Sequence, residues 1–133
     1  MNGELEFLTF ADVMAMHAYQ SGHFGGALGI RDVELLKSAL AMPSATYGGQ
    51  YLHTDIFEMA AAYLYHLVAN HPFVDGNKRT AFAATYTFLS INGVSYTAAA
   101  EETYSFIFDL YKREAFNFAD VVPWLRNHVV INS

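Results

Sequence analysis

Apolar residues recur at helical spacing over most of this chain, and proline, glycine and asparagine mark the breaks. From residue 54 to about residue 70, Ile56, Ala60, Tyr63 and Leu67 fall on one face, with Phe57, Ala61, Leu64 and Val68 beside them. So broad an apolar face predicts a helix buried on most sides. A second stretch, from residue 77 to about residue 91, turns Ala81, Phe82, Thr85, Phe88 and Leu89 inward and stops at Asn92-Gly93. Between them, Pro72 ends the first helix and is expected to hold His71 in an extended backbone. Residues 71–80 are thus a short loop plus the first turn of a buried central helix.

The flanking pattern is also helical. Residues 1–10 read as a lead-in, extended against the body from residue 5 onward. Thr9 followed by Asp12 resembles a capped start, and Val13, Met14, His17 and Ala18 continue one helical side to about residue 20. Glycines at 22, 25, 26 and 29 argue against a stable helix over residues 21–29 and predict a turn, with His23 facing solvent in a loop. Arg31-Asp32 opens the next helix, with Val33, Leu35, Leu36, Ala39 and Leu40 on its apolar side and Pro43 at its end. Residues 44–53 read as a loop and residues 94–100 as a loop or brief extended piece. A helix from residue 101 to about residue 115 packs Phe106, Ile107, Leu110 and Tyr111. A last segment, capped by Asn117 or Asp120, carries Val121, Val122, Leu125, Val129 and Trp124 as a core anchor. The expected fold is all-α, a compact helical bundle with residues 1–133 in one domain.

Composition narrows the setting. The 133 residues suit one domain with a sizeable core. The absence of cysteine removes disulfide and thiolate chemistry and is compatible with a reducing compartment. No basic region precedes a long apolar run and no stretch reaches bilayer length without polar residues, so the expected location is cytoplasmic, with no membrane contact. Thirteen acidic residues face seven Lys and Arg, two of which lie within residues 71–80; with no basic patch elsewhere, a general nucleic-acid surface is not expected. Aromatic residues make up 16% of the chain, so some must be packed internally or left in a groove.

Chemistry concentrates in His71-Pro72-Phe73-Val74-Asp75-Gly76-Asn77-Lys78-Arg79-Thr80. The first turn of a helix leaves backbone N–H groups unpaired at the positive end of the dipole, and Gly76 lets the backbone approach an anion there. Lys78 and Arg79 add charge where a phosphate is already favoured. Asp75 would repel a bare phosphate but suits a magnesium ion bridging carboxylate and phosphate. Asn77 can cap the helix or orient a phosphate oxygen. His71 can take a proton from an attacking hydroxyl, because an imidazole is partly neutral near pH 7. Together these are the parts of a phosphoryl or nucleotidyl transfer site. The plainer alternative is a structural histidine followed by an ordinary turn and cap; it must explain two cations placed against the helix dipole. The string matches neither the glycine-rich phosphate loop nor the dinucleotide fingerprint. His66 and His71, five residues apart across a proline, do not have metal-ligand spacing, so a zinc site is disfavoured.

These residues resemble the Fic/Doc superfamily signature, H-P-F-x-D/E-G-N-G-R, with Lys78 in place of the second glycine as in the Doc, or death-on-curing, branch. The likeness extends to the stretch around His17, to Gly25-Gly26, Gly29-Ile30-Arg31-Asp32, Leu35-Leu36, Ala39-Leu40 and Pro43, and to Asn92-Gly93. It implies His71 as base, Asp75 as magnesium-associated carboxylate, and Gly76, Asn77, Lys78 and Arg79 as the phosphate-holding turn, with Phe73 pinning the loop. Fic enzymes transfer AMP from ATP to a target hydroxyl. The Doc branch binds the nucleotide in the opposite sense and transfers the γ phosphate, with elongation factor Tu as its target. The second arginine of Fic enzymes would fall on Phe82, so the AMP-transfer pocket is incomplete here. His17 matches a histidine common in Doc-like chains and is expected to play a structural role near the site.

The resemblance implies a flap ahead of the motif-bearing helix pair, which makes Tyr47, Gly48, Gly49, Tyr51 and Leu52 the substrate-docking candidates. It also implies a toxin held inactive by a small antitoxin. The self-inhibitory string S/T-x-x-x-E-G/N of some Fic proteins is not completed, since Thr54–Glu58 and Thr97–Glu101 are followed by Met59 and Glu102. The expectation is a protein Ser/Thr phosphotransferase using ATP and Mg2+ on a translation protein, elongation factor Tu first. AMP transfer and a non-catalytic binding protein of the same fold are the alternatives.

Overall fold

Four of the six helices among the described residues begin where the sequence supplies a side-chain acceptor for the first N–H groups. The computed structural model describes residues 4–132, so residues 1–3 of the expected lead-in lie outside the described residues. Thr9 and Asp12 form a reciprocal cap on α1 (Phe10–Phe24), with bonds of 3.1 and 2.8 Å. Asp32 caps α2 (Val33–Ala41), Asp55 caps α3 (Ile56–Ala69) and Asn117 caps α6 (Phe118–Asn127). The central helix α4 (Asn77–Ile91) follows Gly76, which is in the left-handed region, and α5 (Ala100–Lys112) follows the extended Ala99. Four short strands complete the described chain. β1 (Thr46–Tyr47) and β2 (Gln50–Tyr51) form a hairpin over Gly48-Gly49, and β3 (Val94–Tyr96) pairs antiparallel with β4 (Val129–Ile131), Ser95 opposite Val130.

The bundle is built on α3, which packs against α4, α6 and α2, while α1 and α5 lie on α4. Met59 to Leu64, Leu67 and Val68 are all buried, the near-complete burial that the periodicity predicted. Tyr63 has no exposed surface. Its hydroxyl accepts the Leu8 N–H at 2.9 Å, which secures the extended segment before α1, and burial pushes its pKa up to about 12. The same segment is held by Asn92, whose side chain exchanges two 2.9 Å bonds with the Glu6 backbone. Trp124 is half-buried, stacked on Phe106 at 4.1 Å and donating to the Tyr96 hydroxyl at 2.9 Å.

Three local expectations are corrected. Residues 21–24 are helical, not a turn: α1 continues through Gly22 to Phe24 and ends where Gly25 N–H reaches the Ser21 carbonyl. One glycine costs a helix only about 1 kcal/mol, and Gly22 meets nothing within 4 Å. His23 is therefore exposed as expected but helical, bonded to the Tyr19 carbonyl and stacked on the Tyr19 ring. Residues 44–53 contain the β1–β2 hairpin, which is too short for strand alternation to register in sequence. His71 is not extended: its φ is +50°, an uncommon conformation for any residue but glycine.

Candidate active site

The left-handed His71 is held by a residue distant in sequence. Arg31 Nε donates to the His71 carbonyl at 2.7 Å and its terminal nitrogen to the Asn70 carbonyl at 2.9 Å. The Arg31 and Asp32 backbone N–H groups both reach the Pro72 carbonyl, Ile30 bridges Phe73, and Val74 N–H bonds to the Gly29 carbonyl. The segment between α1 and α2 thus acts as a short strand against the motif loop, and the strain of a positive φ is offset by this clamp. Arg31 was legible as a helix opener but not as a clamp, because the contact spans 40 residues.

From beneath, the loop is fixed by Phe73, His17 and Asn77. The fully buried Phe73 ring stacks on the His17 imidazole at 3.9 Å with an interplanar angle of 6°. His17 Nε2–H donates to the Asp75 carbonyl at 2.8 Å. Asn77 is buried with both ends of its amide committed to Phe73: Oδ1 accepts the Phe73 N–H at 2.9 Å and Nδ2 donates to the Phe73 carbonyl at 3.0 Å. The amide is therefore engaged with the loop, and what Asn77 offers an anion is its backbone N–H at the start of α4. The first helical bond is Thr80 N–H to the Gly76 carbonyl at 3.0 Å, so the N–H groups of Asn77, Lys78 and Arg79 precede the helical ladder. Gly76 enters that turn at φ +76°, which L side chains rarely adopt.

One cleft of about 440 Å³ is lined by His71, Val74, Asp75, Gly76, Asn77, Lys78, Arg79, Glu101 and Tyr104. The structure thus brings His71 and Asp75 to the same opening as the α4 turn. Asp75 Oδ1 accepts the Gly76 N–H at 2.8 Å, which leaves Oδ2 for a cation. Arg79 lies over the Phe24 ring, 5.0 Å from its centroid, with a 3.4 Å contact to the Phe24 carbonyl. A cation at the start of α4 is thereby also a cation at the C-terminal end of α1, where the dipole favours it.

Glu101 and Tyr104, one turn apart on α5, form the opposite wall, which sequence reading missed because nothing in their spacing points at residues 71–79. Burial raises the Tyr104 hydroxyl pKa, with Arg79 opposing and Glu101 adding, so the phenol stays a neutral donor. Phe82 meets the Tyr104 ring edge-on at 6.1 Å, so the residue that the sequence resemblance aligns with a second arginine is an aromatic prop for this wall. The docking candidates Tyr47, Gly48, Gly49, Tyr51 and Leu52 are not among the residues lining this cleft. They form the exposed hairpin, whose Tyr51 ring meets Phe7 at 5.7 Å.

Gly26 forms a wall to the carboxylate: a β-carbon there would lie 2.8 Å from Asp75 Oδ2, at φ +102°. Gly26→Ala is expected to displace that carboxylate and lower any transfer catalysed here on the order of ten- to a hundredfold, since small misplacements at a reacting centre are costly. Rate measurements across a magnesium titration check this. An unchanged rate and magnesium dependence would mean that the carboxylate yields freely.

Comparison with known proteins identifies the family. The family model described as Fic/DOC family matches residues 7–89, from the segment before α1 to near the end of α4. The chain is 46% identical over 93 residues to "Toxin Doc" of Mycolicibacterium smegmatis, covering 70% of this chain and 69% of that protein. It is 32% identical over 83 residues to "Protein kinase doc" of Escherichia phage P1, covering 62% of this chain and 65% of that one. Among the described residues, no helix is long and apolar enough to cross a membrane.

Proposed function

The chain belongs to the Fic/DOC family, and from that premise we propose that it is a Doc-type toxin that moves the γ phosphate of ATP to a serine or threonine hydroxyl of a translation protein. The observation that carries the reading is the single cleft shared by His71, Asp75 and the first turn of α4. Similarity to a protein named "Protein kinase doc" favours phosphoryl over nucleotidyl transfer, as does Phe82 in place of a second arginine. Elongation factor Tu is the first candidate target by family resemblance.

His71 takes the proton of the attacking hydroxyl as the new oxygen–phosphorus bond forms. The bond between the γ phosphorus and the β–γ bridging oxygen breaks, and ADP leaves with the electron pair. The N–H groups of the α4 turn, Lys78 and Arg79 hold the phosphates and stabilise the leaving charge. The Asp75 carboxylate, which lines the cleft and has only Oδ1 engaged by the Gly76 N–H, fits magnesium, with Glu101 the second carboxylate on the rim. Bound magnesium would neutralise phosphate charge as it builds up.

Incubating the free protein with cell lysate and ATP labelled separately at the α and γ positions tests the reading. Label from the γ position on a protein is the expected result; label from the α position would make AMP transfer the activity, and no label from either would leave a binding protein. The same reading includes a small antitoxin, supported by the exposed rings of Tyr19, Phe24 and Tyr47. Native purification that yields no small protein partner would remove that part.

A further inference from the structure

Beyond the cleft lies a second cavity of about 550 Å³, lined by Lys78, Tyr104, Ser105, Phe108, Asp109 and Lys112. Lys78 and Tyr104 line both, so the two openings adjoin. His71 and Asp75 belong only to the first, and Phe108 only to the second. Glu101, Tyr104 and Phe108 stand at i, i+3 and i+7 on α5, one helical face, over a rise of roughly 10 Å at 1.5 Å per residue. That is comparable to the reach from the outer phosphate of an extended nucleoside triphosphate to its base.

A lone exposed phenylalanine needs no explanation. This one differs because it lies in a cavity with two lysines, and its ring, 59% exposed, has the Lys78 ammonium 5.9 Å from its centroid. An open aromatic face flanked by cations, with Ser105 and Asp109 offering polar edges, suits a nucleobase, which stacks on an aromatic ring whatever its sequence identity. The cavity is formed almost wholly by α5, beyond the residues 7–89 that the family model matches.

We propose that this second cavity is the nucleoside subsite, with the base stacked on Phe108, the ribose end passing between Lys78 and Tyr104, and the phosphates continuing to the α4 turn. The inference rests on the nucleotide transfer proposed above and deepens it: a base at Phe108 leaves the terminal phosphate nearest His71, which selects the γ phosphate for transfer.

The test compares binding of Mg-ATP and of magnesium tripolyphosphate to the full chain by calorimetry, in wild type and in Phe108→Ala and Phe108→Trp. Phe108 is exposed, so neither variant endangers the core. The expected result is that Phe108→Ala weakens ATP roughly ten- to a hundredfold, leaves tripolyphosphate unchanged, and is rescued by Phe108→Trp. Equal weakening of both ligands would mean that Phe108 acts by placing Lys78, and no change in either would leave the cavity to the target polypeptide; each overturns the subsite. Wild type binding neither ligand would instead bring down the transfer reading itself.

Discussion

Replacing His71 with alanine is expected to lower transfer roughly a hundred- to ten-thousandfold, the usual contribution of a positioned general base, while leaving the protein folded. The imidazole is exposed at the mouth of the cleft and contributes nothing to the core. What holds the loop at this position is the His71 carbonyl, bonded by Arg31, and that carbonyl survives the substitution. The strained φ of +50° remains in the variant, so His71→Asn, whose side chain tolerates the left-handed region better, is a useful companion. Both should lose transfer alike and unfold in urea close to wild type. Transfer that persisted near its original rate would exclude His71 as the base, even with the family membership intact.

Asn77→Ala should be as damaging by another route. Removing the amide leaves the Phe73 N–H and carbonyl without their side-chain partner beneath the motif loop. A buried polar group left unsatisfied costs about 1–3 kcal/mol, and two of them are a large part of a stability that is typically only about 5–15 kcal/mol. A lower denaturation midpoint is therefore expected together with loss of transfer, because the loop that carries His71 and Asp75 loses its lower attachment. Asn77→Asp, which keeps the acceptor for Phe73 N–H and removes the donor to its carbonyl, should fall between. If instead the alanine variant kept wild-type stability and lost only Mg-ATP affinity, the side chain would be acting on phosphate, as the resemblance implied, and its observed pairing with Phe73 would be incidental.

The contrast between His71 and Asn77 shows why site residues differ in how legible they are. Both stand in one signature, and sequence reading gave both chemical roles. An amide can cap a helix, hold a loop or face a phosphate, and only the position of Phe73 across the turn decides among them. Arg79 is similar: its charge runs against the α4 dipole, and the C-terminal end of α1, distant in sequence, compensates it. Glu101 and Tyr104 left no trace, since they join the cleft through the packing of α5 on α4 and not through any motif. The β1–β2 hairpin and the helical residues 21–24 escaped because two-residue strands have no period and a single glycine is a weak breaker.

What the sequence determined by itself is the all-α architecture, the burial of α3, the start of α4 at Asn77 and the family to which residues 71–79 point. These follow from interactions local along the chain: apolar residues recurring at 3.6, caps three residues from their donors, and a motif without insertions. Tertiary structure alone decided how the motif is held and what faces it. The Arg31 clamp, the His17–Phe73 stack and the α5 wall join residues 40, 56 and about 25 positions apart. Such contacts depend on the angles at which helices cross, which the local pattern of apolar positions does not encode.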